Sequence, residues 1–273
     1  MIIHYINLDS AISRRNAIEN SFSKNHSSND WTLSRFTAVS SDDERVKNSE
    51  GGCTDKEKAC FLSHASLVQQ ASRSTEVHWI VEDDARFWPQ SFEVATEFVK
   101  NYQDADWDIL FTDLTIRSFG SMVDLYIARK KLTTNQIEYI NVGTCPFCSA
   151  VSYIINPKRA KKVASVLSIP SSIDKGWDIY LASAIVEGKL TAYFTLPFVT
   201  SFAEGAQTSQ IREIDVDIPG ILGRSFRSLM CVEPNTKLIN EMLSQIDGNF
   251  VDDQADFFGK IMAGFMSDNF PKE

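Results

Sequence analysis

The chain has 273 residues, with 27 Lys+Arg against 36 Asp+Glu, and a formal net charge of −9 with His neutral. That length suits one large domain or two small ones, and 43% hydrophobic against 23% charged residues supplies enough apolar material for a core, which excludes wholesale disorder. The acidic balance excludes a general nucleic-acid binder, which needs a positive footprint against phosphates, but leaves room for a local basic pocket.

Ile2 to Leu8 is rich in β-branched and aromatic residues and reads as a first strand. Asp9 and Ser10 are placed to cap a helix running to about Phe22, which carries Arg14 and Arg15. Trp31 to Val39 is a second strand, and Ser40 to Gly52 a charged loop. Thr54-Asp55-Lys56-Glu57 is a capping-box pattern that starts a helix to about Ala71, with Phe61, Ala65 and Val68 on one face. Val77 to Val81 is a short apolar run, read as a buried strand, that ends in Glu82-Asp83-Asp84. A helix over Phe92–Tyr102 and a buried strand over Trp107–Phe111 follow. Beyond Ser118 the pattern loosens. Strands are expected at Ile137–Val142, Ser149–Ile155 and Leu190–Phe194, and helices at Lys158–Leu167 and Trp177–Glu187. Asn235–Ile246 and Gln254–Phe265 have the spacing of amphipathic helices. Alternating strands and helices predict an α/β fold, with Trp79, Trp107 and Trp177 in its core.

The N-terminus has no basic n-region, so it does not read as a signal peptide. No stretch approaches the roughly 20 apolar residues of a bilayer span, and the expected setting is cytoplasmic. Five cysteines are an odd number for a disulfide framework. Cys145-Pro146-Phe147-Cys148 has C-x-x-C spacing but leads into a strand, whereas a redox pair wants a helix N-terminus. Cys53 and Cys60 are seven apart and do not complete a zinc set. The expectation is five ordinary buried or half-buried thiols.

The sharpest local feature is Glu82-Asp83-Asp84 at a strand end. Three adjacent carboxylates repel one another, and a hard divalent cation such as Mg²⁺ or Mn²⁺ offsets that repulsion through oxygen ligands. Ligands also bind at strand ends of open α/β sheets. A solvated acidic turn is the other reading of the same residues, as is internal neutralisation by Arg86 without a metal.

Five blocks in order extend the reading. Tyr5-Ile6-Asn7-Leu8-Asp9 with Arg14-Arg15 is similar to "INLDR…RR". Glu57 to His64 is similar to "GEIGCFLSH", and Val81 to Phe87 is close to "EDDVRF". Ser152 to Lys162 is similar to "AYVISxxGAKKL", and Gly176 to Leu181 to "PVDxxL". Together they resemble glycosyltransferase family 25, the bacterial lipooligosaccharide and lipopolysaccharide sugar transferases and the related procollagen galactosyltransferase domains. The chain departs from that pattern at Lys56 and Ala59, where the family has Gly. It lacks the Gly usual after the Trp107–Asp113 strand, and has Gln210 where relatives often have Asp.

The resemblance implies a GT-A-like, Rossmann-like nucleotide-sugar-binding domain over residues 1–204, with a mainly helical extension over 205–273 packed on it. It implies a UDP-sugar donor, inversion at the anomeric centre and a hexose, with galactose the leading candidate, passed to a lipooligosaccharide or lipopolysaccharide saccharide acceptor. It also implies Mn²⁺ or Mg²⁺, held by Glu82, Asp83 and Asp84 and acting on the leaving diphosphate. Asp178 is the first choice for the base that deprotonates the acceptor, with Asp113 second. Asn7, Leu8, Arg14, Arg15, Glu57, His64 and Asp83 are donor-binding candidates. Against these stand plainer roles: helix N-terminal stabilisation for Asp178, half of a capping box for Glu57, solvent-facing arginines, and a core position for His64. The competing classes are a metal-dependent hydrolase or nucleotidyltransferase and a non-catalytic sugar-nucleotide-binding relative. The four His are poorly spaced for the first, and no P-loop is present. The apolar C-terminal faces and the basic clusters at 129–131 and 159–162 leave room for a homodimer or a weak peripheral contact at the inner face of the cytoplasmic membrane.

Overall fold

The computed structural model describes residues 1–27, 30–102, 104–202, 218–246 and 252–267. The Gln210 position and the 204/205 boundary lie outside these residues. In chain order the elements are β1 (Ile2–Asn7), α1 (Ile12–Asn25), β2 (Thr32–Thr37), α2 (Glu44–Lys47), α3 (Asp55–Ala71), β3 (His78–Glu82), β4 (Ala85–Phe87) and α4 (Pro89–Tyr102). These are followed by β5 (Ile109–Phe111), β6 (Thr115–Ile116), α5 (Phe119–Lys131), β7 (Glu138–Asn141), β8 (Phe147–Cys148), β9 (Ser152–Ile155), α6 (Ala160–Val166) and α7 (Trp177–Val186). Last come β10 (Ala192–Leu196), β11 (Thr200–Phe202), α8 (Ile218–Leu229), α9 (Thr236–Leu243) and α10 (Asp253–Met266).

The fold is α/β, built on a seven-stranded sheet in the order β2-β1-β3-β9-β5-β10-β7. Strands β1, β2 and β3 pair in parallel, as do β5 and β10, while β9 and β7 run antiparallel to their neighbours. The carboxyl ends of β1, β2, β3 and β5 therefore lie on one edge. The two sheet faces carry separate apolar layers. One packs Ile80, Phe111 and Phe194 with α3, α6 and α7; the other packs Trp79, Leu110 and Ile154 with α1 and α4. Trp79, Trp107 and Trp177 are buried, as expected. Burial on both faces explains why these strands read as short unbroken apolar runs. Two polar pairs lie within the layer: Trp79 Nε1 donates to Ser152 Oγ at 2.8 Å, and His4 Nε2 lies 2.9 Å from His78 Nδ1.

Several local expectations are corrected. Asp9 does not cap α1, whose N-cap is Ala11 with no side-chain cap bond. Asp9 instead accepts from Arg35 at 2.6 Å, because the parallel pairing of β1 with β2 brings that guanidinium alongside. The charged loop after β2 contains α2, capped by Asp43. Strand β4, helix α5 and helix α8 had no clear signal. β4 is three residues long and exists through antiparallel pairing with β11, more than a hundred positions away. The basic run from Lys158 is largely neutralised: Lys158 pairs with Asp104, Arg159 with Asp106 at 2.9 Å and Lys162 with Asp108 at 2.6 Å. All five cysteines are thiols outside any disulfide, with Cys231 buried and the others half-buried.

In the C-terminal part, α8 and α9 bury Ile221, Leu238 and Met242 with Phe202. Helix α10 buries none of its residues, leaving Phe257, Phe258, Ile261 and Phe265 exposed. No helix among the described residues is long and apolar enough to cross a membrane.

Candidate functional site

A cavity of about 400 Å³ opens at the carboxyl ends of β1, β2 and β3. Its lining includes Leu8 from β1's exit, Arg14 from α1, Lys56, Cys60 and His64 from α3, and Glu82, Asp83 and Asp84 from the end of β3. Its volume lies within the usual range for small-molecule sites. The capping box sets the start of α3: Thr54 Oγ1 accepts from the Glu57 backbone N–H, and Glu57 Oε2 accepts from the Thr54 backbone N–H. This fixes the register that turns Lys56, Cys60 and His64 toward the cavity. Glu57 is used in the cap and is not among the lining residues.

The three carboxylates have different environments. Asp83 is buried, accepting from Asn7 Nδ2 at 2.7 Å and from Arg14 Nη1 at 2.9 Å. Asn7 itself is fully buried: Nδ2 also donates to the Ala11 carbonyl at 3.1 Å, and Oδ1 accepts from Arg15 and Arg35. It brackets the turn between β1 and α1 and is not among the residues lining the cavity, and Arg15 is likewise outside it. Of the two arginines, Arg14 is the one brought in. Its Nη1 is also 3.9 Å from Asp84 Oδ2.

Asp84 is the least compensated of the three. Its Oδ1 is buried and has no hydrogen-bond partner among the described residues. Burial first, and then the negative charge of Glu82, push its carboxyl up to about 7. Glu82 reaches toward His64, with Oε1 3.6 Å from Nε2. Three carboxylates and two cations, Arg14 and Lys56, line the cavity. A divalent cation would reverse that sign, and an orphaned carboxylate oxygen beside a second carboxylate is an oxygen donor set that fits a hard ion. Asp84 and Glu82 meet this test; Asp83 already has both oxygens occupied. Arg86, the neutralising charge of the alternative reading, has its guanidinium 5.7 Å from the Trp88 ring centroid. The cations acting on Asp84 are Arg227 and Arg14.

The sequence of this chain matches the model of "Glycosyltransferase family 25 (LPS biosynthesis protein)" over residues 1–177. The chain belongs to glycosyltransferase family 25. No curated protein shows significant sequence similarity to it. Among solved structures it is similar to galactosyltransferase LgtC in complex with donor and acceptor sugar analogues, with 10% identity over 95% of this chain and 100% of that one. The TM-score of 0.42 is too low for that likeness to carry an argument.

The remaining candidates in this family 25 glycosyltransferase separate clearly. Asp113, two residues beyond β5, is fully buried and held on both oxygens by Arg227 of α8, with Nε donating at 2.6 Å and Nη2 to the other oxygen. Arg227 also lies over the Phe202 ring, 5.0 Å from its centroid. Such a two-pronged pair leaves Asp113 poorly placed to accept a proton. Asp178 stands in the first turn of α7, half-buried. It does not line the cavity, but its charge helps to raise the thiols of Cys60 and Cys148, chiefly raised by burial. His64 is buried against both Tyr153 and Trp177, with the Trp177 ring stacked at 5.5 Å. The motif reading missed Lys56, which it noted only as a departure from the family pattern, and Arg227. Arg227 lies beyond residue 177, and its only sequence signal is an arginine on the inward face of an amphipathic helix with Ile221 and Ser228.

Proposed function

We propose that this glycosyltransferase moves a hexose, with galactose from UDP-galactose as the leading candidate, to a saccharide acceptor of lipooligosaccharide or lipopolysaccharide, with inversion at the anomeric carbon. The observation that carries this is the convergence of Glu82, Asp83 and Asp84 on a cavity at the strand ends of a family 25 chain. In this reading Asp84 and Glu82 hold Mn²⁺ or Mg²⁺. When bound, the ion supplies Lewis-acid stabilisation of the charge that develops on the leaving diphosphate. Asp83 acts through structure: with Asn7 and Arg14 it fixes the β3 exit, and Arg14 and Lys56 offer positive charge to the diphosphate. Leu8 packs against the nucleoside at the end of β1. Asp178 receives the acceptor hydroxyl proton, since Asp113 is committed to Arg227. The exposed face of α10 supports a weak peripheral contact with a membrane that carries a glycolipid acceptor, with a homodimer as the competing use of the same face. Sedimentation with and without anionic vesicles separates the two.

The test is a screen of nucleotide sugars with Mn²⁺ present, read by release of UDP and by NMR of the product linkage. UDP-galactose is expected to react only with acceptor present, giving a β-linked product from the α-linked donor. A product that retains the α configuration overturns the inverting reading. UDP release without any glycosylated product supports the hydrolase class instead.

A further inference from the structure

We propose that Cys60, His64 and Glu82 form a second metal site, one that takes a thiolate-preferring divalent cation of the Zn²⁺ class. Cys60 and His64 stand four residues apart on α3 and so share a face of that helix. Glu82 meets them from the end of β3. One ligand atom from each, Sγ, an imidazole nitrogen and a carboxylate oxygen, lies within 4.8 Å of the other two. Bond lengths of about 2.0 Å to nitrogen or oxygen and 2.3 Å to sulfur place tetrahedral ligand atoms roughly 3.3–3.8 Å apart. The His64–Glu82 distance of 3.6 Å already has that value, and Cys60 Sγ lies within 4.8 Å of a ligand atom of each.

The surroundings of His64 match what a ligating imidazole needs. Nδ1 lies 3.1 Å from the hydroxyl of buried Tyr153, which can accept its proton and leave the Nε2 lone pair on the side of Glu82. The stacked Trp177 ring holds the imidazole plane. An outer partner of this kind sets the tautomer and orientation of a metal-bound histidine. All three ligands also line the cavity. A bound ion would thus have three protein ligands and a fourth position open to water or to an anionic oxygen, the pattern of an open zinc site. Sulfur and imidazole donors separate this site from the all-oxygen pair Asp84 and Glu82, since Mg²⁺ and Mn²⁺ favour oxygen. Glu82 is the one residue common to both. The sequence reading, which found Cys53 and Cys60 too far apart for a zinc set, did not detect this cluster because its third ligand comes from another element.

The proposal does not rest on the transfer reaction, and its test reads the metal directly. Metal-free full-length protein is titrated with Co²⁺ and followed by absorption. The expected result is one ion per chain that carries a near-ultraviolet thiolate-to-cobalt charge-transfer band and visible bands of tetrahedral geometry, both displaced by Zn²⁺. Cys60→Ser should abolish the charge-transfer band. His64→Gln should weaken binding by about tenfold or more, and Tyr153→Phe by about 10–100-fold while keeping the band. Circular dichroism confirms that each variant is folded; should His64→Gln fail to fold, Cys60→Ser, a near-isosteric change, decides alone. Absence of the band in the natural chain overturns the proposal. So does a band that survives Cys60→Ser and disappears when Cys145 and Cys148 are replaced. Loss of sugar transfer with this band intact, or the reverse, tells failure of the donor reading apart from failure of this one.

Discussion

The wall of the cavity built from the first 84 residues and the helices beyond residue 217 contribute to the site in opposite ways. In the first region nearly every polar side chain is set by a local device: a strand end, a capping box, or the turn that Asn7 brackets. In the second region one side chain, Arg227, reaches the same edge of the sheet and closes on Asp113. The next helices fade outward from it: α9 buries Leu238 and Met242, and α10 buries nothing. The difference teaches that membership in the site is decided by burial against the sheet and not by proximity in sequence. A charge from α8 is drawn to this edge because Asp113 is buried there and Arg227 occupies both of its oxygens.

The largest expected effect breaks the far side of this comparison. Arg227→Met removes one partner of a buried pair and leaves the Asp113 carboxylate uncompensated, with an expected loss of about 3–5 kcal/mol in urea unfolding. The double variant Arg227→Met with Asp113→Leu should recover most of that loss. If the single variant is as stable as the natural chain, α8 is not holding the sheet edge.

Next comes the near side. Asp84→Asn keeps the shape of the side chain but removes its charge, and kcat for sugar transfer is expected to fall by about 10²–10³-fold, the scale seen when one group stabilising transition-state charge is removed. Asp83→Asn should cost stability as well as activity, because both of its oxygens hold neighbours in place. A variant of Asp84 that loses stability but not activity would exchange the two roles.

A third prediction uses pH. The folded-state value of Asp84, about 7, lies above the ordinary carboxylate range. Its contribution to stability is therefore present in full below that range and is lost as pH rises through about 7. In the presence of chelator, the natural chain should lose more thermal stability between pH 5 and pH 8 than Asp84→Asn does. Mn²⁺ should remove much of the difference, because a bound cation favours the ionised carboxylate. Equal pH profiles for the two proteins in chelator would show that Asp84 is not held protonated.

The smallest expected effect is in α10. Replacing Phe257, Phe258, Ile261 and Phe265 with Ser should change unfolding stability by no more than about 0.5 kcal/mol per site, because none of the four is buried. A larger loss in dilute protein would mean that this face is covered, and concentration dependence would identify a second copy as the cover.

Much of the near wall was legible in the residues. The Thr54–Glu57 pattern determined where α3 begins, because reciprocal capping needs only four consecutive positions. Glu82-Asp83-Asp84 after a buried apolar run marked a strand end with unbalanced charge, and Arg14 was named with Arg15 as a candidate. What the sequence could not do was show which partner each of them meets. That Asp83 is spent on Asn7 and Arg14 while Asp84 is left with an orphaned oxygen depends on how β1 and β3 pair in parallel. The resemblance put Asp178 ahead of Asp113, but only α8 shows that Asp113 is committed to a guanidinium.

By itself, the sequence determined the α/β class, the capped α3, the buried tryptophans and the acidic strand end, because each follows from periodicity, capping or charge repulsion within a few residues. Only the tertiary structure decided which arginine faces which carboxylate, that β4 exists, and that Cys60, His64 and Glu82 converge. Those outcomes depend on contacts between elements far apart in the chain. In such contacts the cost of burying a charge is offset by whichever partner the folded sheet brings within about 3 Å.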